Sequence, residues 1–100
     1  MLHMVNKSPF ERTALASCLR CARKGDAVLL FEDGVIAARQ ASAAQTGIDG
    51  AVKDLKLFVL GPDLEARGIA PEQVLAGIEI VDYGGFVDLV AENNPVQSWL

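Results

Sequence analysis

Four short apolar runs, Leu2–Val5, Ala27–Phe31, Lys56–Leu60 and Ile78–Val81, stand at intervals that leave room for one or two helices each time. All four are rich in Val, Ile, Leu and Phe and too short to be helices. Strands that alternate with helix-length segments build βαβ units, which require a mainly parallel sheet covered on both faces. The expected fold is therefore α/β and three-layered, with a mostly parallel sheet of four or five strands and helices on both faces. A fifth strand would come from the tail or from the stretch 41–50. No repeat, linker or charge block interrupts the chain, so residues 1–100 read as a single domain.

The first crossover carries the clearest helix signals. Ser8 and Glu11 have the spacing of a capping box, with Pro9 at the first helical position, where its missing N–H costs nothing. Ala14, Leu15, Cys18, Leu19 and Ala22 then share one face, while Arg12, Thr13, Ser17, Arg20 and Arg23 fill the other. Gly25 is placed to end that helix. Further on, Asp33 is positioned to cap a helix through Val35–Ala38, and Gly61-Pro62-Asp63 opens a helical turn that stops at Gly68. Another short helix begins at Pro71, and a last one runs from about Phe86 to Asn93-Asn94-Pro95. The tail ends on Trp99 and Leu100, which are too apolar to stay in water and should dock.

Composition narrows the function. Hydrophobic residues make up 51% of the chain and charged ones 22%, with a mean hydropathy of +0.27. That is rather apolar for so small a protein, so either the core is unusually large for the size or some apolar surface is covered by partner chains. A net charge of −4 argues against direct nucleic-acid binding, which depends on neutralising phosphates. The chain has no apolar run of membrane-spanning length, and its start lacks the pattern of a signal peptide. The expected location is the cytoplasm, and two cysteines there are more naturally thiols than a disulfide.

Open parallel sheets carry their sites at the carboxyl ends of the strands, here Asn6–Pro9, Glu32–Gly34, Gly61–Asp63 and Asp82–Gly85. None of these is a catalytic signature. There is no G-x-G-x-x-G and no P-loop, and no cofactor is expected. A receiver-type phosphorylation site would need acidic residues where Asn6 and Lys7 stand. His3 is the only histidine, and inside a strand it suits a satisfied, half-buried side chain better than a metal ligand; no metal site is expected. Cys18-Leu19-Arg20-Cys21 matches C-x-x-C but lies within a helix, without the N-terminal dipole that activates a redox pair. Cys18 falls mid-face, as a small buried hydrophobe would, and Cys21 falls at the accessible boundary. A different class of function stays open, a stand-alone small-ligand or anion-binding module using Lys7 and the first helix's N-terminus.

Met1-Leu2-His3, Asn6-Lys7-Ser8-Pro9-Phe10 and Glu32-Asp33-Gly34-Val35 with Ala37-Ala38 resemble the DsrH/TusB family. So do Leu60-Gly61-Pro62-Asp63-Leu64 with Ala66-Arg67-Gly68, Val81-Asp82-Tyr83 with Phe86-Val87-Asp88-Leu89, and Gln97-Ser98-Trp99. The resemblance spans the chain in order. It implies a DsrEFH-like fold and a cytoplasmic heterohexamer with DsrE/TusD-like and DsrF/TusC-like subunits. That complex passes persulfide sulfur to a DsrC/TusE-like carrier, in sulfur oxidation or in thiolation of the tRNA wobble uridine. The resemblance places the main sulfur-carrying cysteine on the DsrE/TusD-like subunit and makes this chain a non-catalytic or accessory one. Cys18 matches the first-helix cysteine of the DsrH branch and, with Phe10 and Gly61-Pro62-Asp63, tilts the resemblance to that side. It is the candidate sulfur-carrying residue.

Overall fold

The computed structural model describes residues 1–10, 13–93 and 95–99. Its five strands are β1 (Leu2–Val5), β2 (Ala27–Leu30), β3 (Lys56–Leu60), β4 (Ile78–Val81) and β5 (Val96–Trp99). They form one parallel sheet in the order β4-β3-β2-β1-β5. The four apolar runs are thus the first four strands, and the tail supplies the fifth. Every residue of β2 is buried, as a central strand covered on both faces requires.

The order of the strands decides where the helices lie. From β1 to β4 the chain steps across the sheet in one direction, and right-handed crossovers place all the intervening segments on one face. These are α1 (Ala14–Cys21), a 3₁₀ segment Glu32–Ala38, a 3₁₀ turn Gln40–Ser42, α2 (Ala43–Thr46), α3 (Ile48–Ala51), α4 (Gly61–Ala66) and a 3₁₀ turn Pro71–Gln73. The return from β4 to β5 must cross the whole sheet, so α5 (Tyr83–Glu92) covers the opposite face. The two cores follow this division. Val5, Val28, Leu30, Leu57 and Val59 pack with Leu15, Cys18, Val35, Ile48 and Leu64 on the first face. Leu2, Ala27 and Leu29 pack with Leu89 and Phe86 on the second.

Local chemistry moves several boundaries. The first helix begins at Ala14 rather than Pro9, because the Ser8 hydroxyl accepts the Phe10 N–H at 3.2 Å and closes a local turn instead of capping a helix. Glu11, the other half of the expected capping box, lies outside the described residues, as do Asn94 and Leu100. The helix also stops early, at Cys21. Asp26 accepts the Arg23 N–H at 3.0 Å and donates its own to the Arg23 carbonyl at 2.9 Å, making a tight turn that Gly25 completes at φ +91°. Asp33 caps nothing; its carboxylate pairs with Arg67 at 2.9 Å. The last helix starts at Tyr83, earlier than expected, since the Asp82 carboxylate accepts the Gly85 N–H at 2.8 Å.

Candidate functional site

At the carboxyl ends of β2 and β3 the carboxylates of Asp33 and Asp63 are spent on structure. Asp63 accepts the Glu32 N–H at 2.6 Å and so holds Glu32 at φ +48°, the one non-glycine residue with positive φ among the described residues. Arg67 is taken up by Asp33 and by the Asp63 carbonyl. A cleft of about 550 Å³ opens between the ends of β3 and β4, bordered by Gly61, Pro62, Glu65 and Asp82. It holds no histidine or cysteine. Lys7 and the start of α1 are separated by the Ser8–Phe10 turn, so the helix N-terminus expected to receive an anion beside Lys7 is not formed there.

The more chemically varied site lies at the other end of the sheet, where α1 finishes over β1 and the edge strand β5. A cavity of about 630 Å³ is lined by Met1, His3, Cys21, Arg23, Asp26 and Trp99, together with Gln97. The register of the sheet builds it. His3 and Val5 point to the α1 face, and β5 pairs alongside so that Gln97 and Trp99 share that face. The tight turn after α1 sets Asp26 immediately before β2, level with the start of β1.

His3 is 2% exposed and fully partnered. The Trp99 indole N–H donates to its Nδ1 at 3.1 Å, and its Nε2 lies 2.9 Å from Asp26 Oδ2. An indole N–H can only donate, so Nδ1 is the unprotonated nitrogen and Nε2–H donates to the carboxylate. His3 thereby ties the last strand to the turn before β2. Asp26 collects the Arg23 N–H, the His3 N–H and the chain's terminal ammonium at 3.4 Å. The Arg23 N–H first and the His3 N–H second lower its pKa from 3.8 to about 2.

That depression predicts an acid response. A carboxyl with a lowered folded-state pKa contributes stability that is complete above its ordinary value near pH 4 and is lost as the pH falls towards 2. Unfolding titrations between pH 5 and 2 should show this loss, and Asp26→Asn should remove its part of the slope. An unchanged slope in Asp26→Asn would refute the assignment.

The two cysteines of the C-x-x-C stretch are free thiols in different surroundings. Cys18 is 0% exposed within the first core, and burial, followed by the nearby Cys21 and Asp26, pushes its thiol up to about 12. It stays protonated near neutral pH. Cys21 is exposed and borders the 630 Å³ cavity. Among the described residues no group of three or more His, Cys, Asp or Glu is placed to hold a metal ion. Nor is any described helix long and apolar enough to cross a membrane.

A family model described as DsrH like protein matches residues 7–96. The chain belongs to the DsrH family. Protein TusB of Erwinia tasmaniensis is 40% identical to it over 99 residues, covering 99% of this chain and 100% of that protein. Protein TusB of Escherichia coli K12 is 34% identical with the same coverage. Among solved structures, the protein of unknown function MTH1491 from Methanobacterium thermoautotrophicum superposes with a TM-score of 0.74 at 17% identity, covering 97% of this chain and 95% of its own. The ychN protein of E. coli superposes at 0.73 with 14% identity, covering 98% and 97%. At that identity the two share the fold.

One surface of this DsrH-family chain is unusually apolar for exposed protein. On α5, Tyr83 and Val87 are each 62% exposed and Val90 is 39% exposed, a spacing that lines them along one side of the helix. Phe86 and Leu89 of the same helix are the ones that face the sheet.

Proposed function

We propose that this DsrH-family chain is a partner subunit of a cytoplasmic sulfur-relay complex, assembled with DsrE/TusD-like and DsrF/TusC-like subunits in a heterohexamer. The observation that carries this reading is the full-length match to TusB proteins at 34–40% identity. The complex hands persulfide sulfur to a DsrC/TusE-like carrier protein. The TusB relatives favour delivery towards tRNA thiolation, while Cys18 and its DsrH-type position keep sulfur oxidation as the other destination. An acidic chain fits either route, because the cargo goes to a protein and tRNA need not be gripped here.

The Tyr83–Val87–Val90 stripe is the face assigned to a related subunit, which explains why a chain of 51% hydrophobic residues leaves it in water. Cys18, buried and protonated, serves packing in this reading, and the sulfur that passes through the complex travels on the DsrE/TusD-like subunit.

Co-expression with both partner types tests the proposal. The three chains should elute together in equal amounts, and Val87→Asp should release this chain while leaving its own folding within about 0.5 kcal/mol of the parent. Recovery of the unaltered chain as a lone monomer beside its expressed partners would overturn the reading and favour a stand-alone ligand-binding module.

A further inference from the structure

The cavity under the end of α1 has no part in the proposed function, yet it unites more reactive chemistry than any other described cavity. It is about 630 Å³, a size suited to a small molecule and too confined for a folded partner. One wall is the exposed Cys21, and beside it stands Arg23, whose guanidinium enters no ion pair among the described residues. Trp99 also lines the cavity, an aromatic surface anchored through His3 to Asp26. This anchoring matters because it fixes the shape of the cavity before any ligand arrives. The sheet and α1 are thus arranged so that a thiol, a cation and an anchored aromatic face border one half-open cavity.

We propose that this cavity binds a small organic persulfide bearing a carboxylate, and that Cys21 takes its outer sulfur. The class of ligand rests on the sulfur-relay reading; the site rests on the geometry. Arg23 holds the carboxylate of the donor and Trp99 covers its apolar part. The Cys21 thiol gives up its proton, and the thiolate attacks the outer sulfur of R–S–S–H. A sulfur–sulfur bond to Cys21 forms as the bond within the donor breaks, and the electron pair leaves on R–S⁻, which takes up the released proton. Cys21 becomes the persulfide and the donor becomes R–SH, with no outside oxidant or reductant. The complex thereby gains a second entry for sulfur, from small molecules, on a subunit whose other cysteine is sealed in the core.

Glutathione persulfide is the probe, used on the complete chain both alone and in the assembled complex. The sequence aids the measurement, because trypsin cleavage after Arg20 puts Cys18 and Cys21 on different peptides. After trapping, one added sulfur should appear on the Cys21 peptide and saturate with donor concentration. Cys18→Ala should load as the parent does, Cys21→Ser should not load, and Arg23→Gln should raise the half-saturating concentration several-fold. Added sulfur on Cys18, loading of Cys21 that never saturates, or saturation unmoved by Arg23→Gln would overturn the proposal. If the DsrE/TusD-like partner loads in the complex while Cys21 stays bare, the cavity proposal falls and the relay reading stands. If no partner assembles with the chain, it is the relay reading that falls.

Discussion

Gly34→Ala is expected to destabilise the protein by about 2–4 kcal/mol, seen as a lower urea midpoint. Gly34 lies in the 3₁₀ segment that leaves the end of β2, directly under the last residue of β1. A Cβ there would press into the Val5 carbonyl oxygen, stand 3.0 Å from the Val5 carbonyl carbon and 3.4 Å from Asn6 Cα. These are backbone atoms of a buried central strand, so they cannot swing aside as the tip of a long side chain would. Relief requires moving either β1 or the 3₁₀ segment that carries Val35, Ala37 and Ala38 into the core. Gly50 in α3 is the matched control. A Cβ on Gly50 meets nothing within 4 Å, and Gly50→Ala should be neutral or stabilising by up to about 1 kcal/mol. Equal midpoints for the two variants would refute this account of Gly34.

The parallel sheet was legible because each of its first four strands is a continuous apolar run, the signature of burial on both faces. β5 was harder to read. As Val96-Gln97-Ser98-Trp99 on the open edge of the sheet it is half polar, and its pairing is with β1 alone. Helix ends were misplaced wherever one side chain had two possible uses. Ser8 serves a two-residue turn, and Asp26 holds the turn that replaces the last part of the expected α1. The start of α5 was hidden by Gly84-Gly85, residues that ordinarily mark a loop. Gly85 is there because the helix passes close to β4, where a Cβ would stand 2.9 Å from that of Val81.

Of the candidate site, the part set by helical periodicity could be read and the part set by sheet register could not. The helix angle alone separates the mid-face Cys18 from the boundary Cys21, and the structure has the first buried and the second exposed. His3 was expected to be satisfied within its strand, without any indication of its partners. Asp26 stands 23 positions away and Trp99 stands 96 away, brought together only once β1 lies between β2 and β5. An aspartate just before an apolar run and a tryptophan in the tail are the available sequence signals, and neither names a histidine as its partner.

His3→Ala is expected to cost about 3 kcal/mol, since it removes a buried ring and strands two partners at once. The Trp99 indole N–H loses its acceptor, and Asp26 loses the second of the hydrogen bonds that lower its pKa. Trp99→Phe removes the donor instead, leaves Nδ1 of His3 without its hydrogen bond, and should cost roughly 1–2 kcal/mol. Because the two changes break one shared contact, the double variant should be less destabilised than their sum, by roughly 0.5–1.5 kcal/mol. Trp99 is the only tryptophan, so intrinsic fluorescence reports on it alone. His3→Ala should shift the emission to the red as β5 loses its tie to β1 and water reaches the indole. Additive stabilities together with unchanged emission would mean that His3 merely fills space and that the edge strand is held by its backbone pairing to β1. Coupling with a red shift would establish the buried histidine as the latch that closes the sheet and shapes the cavity wall.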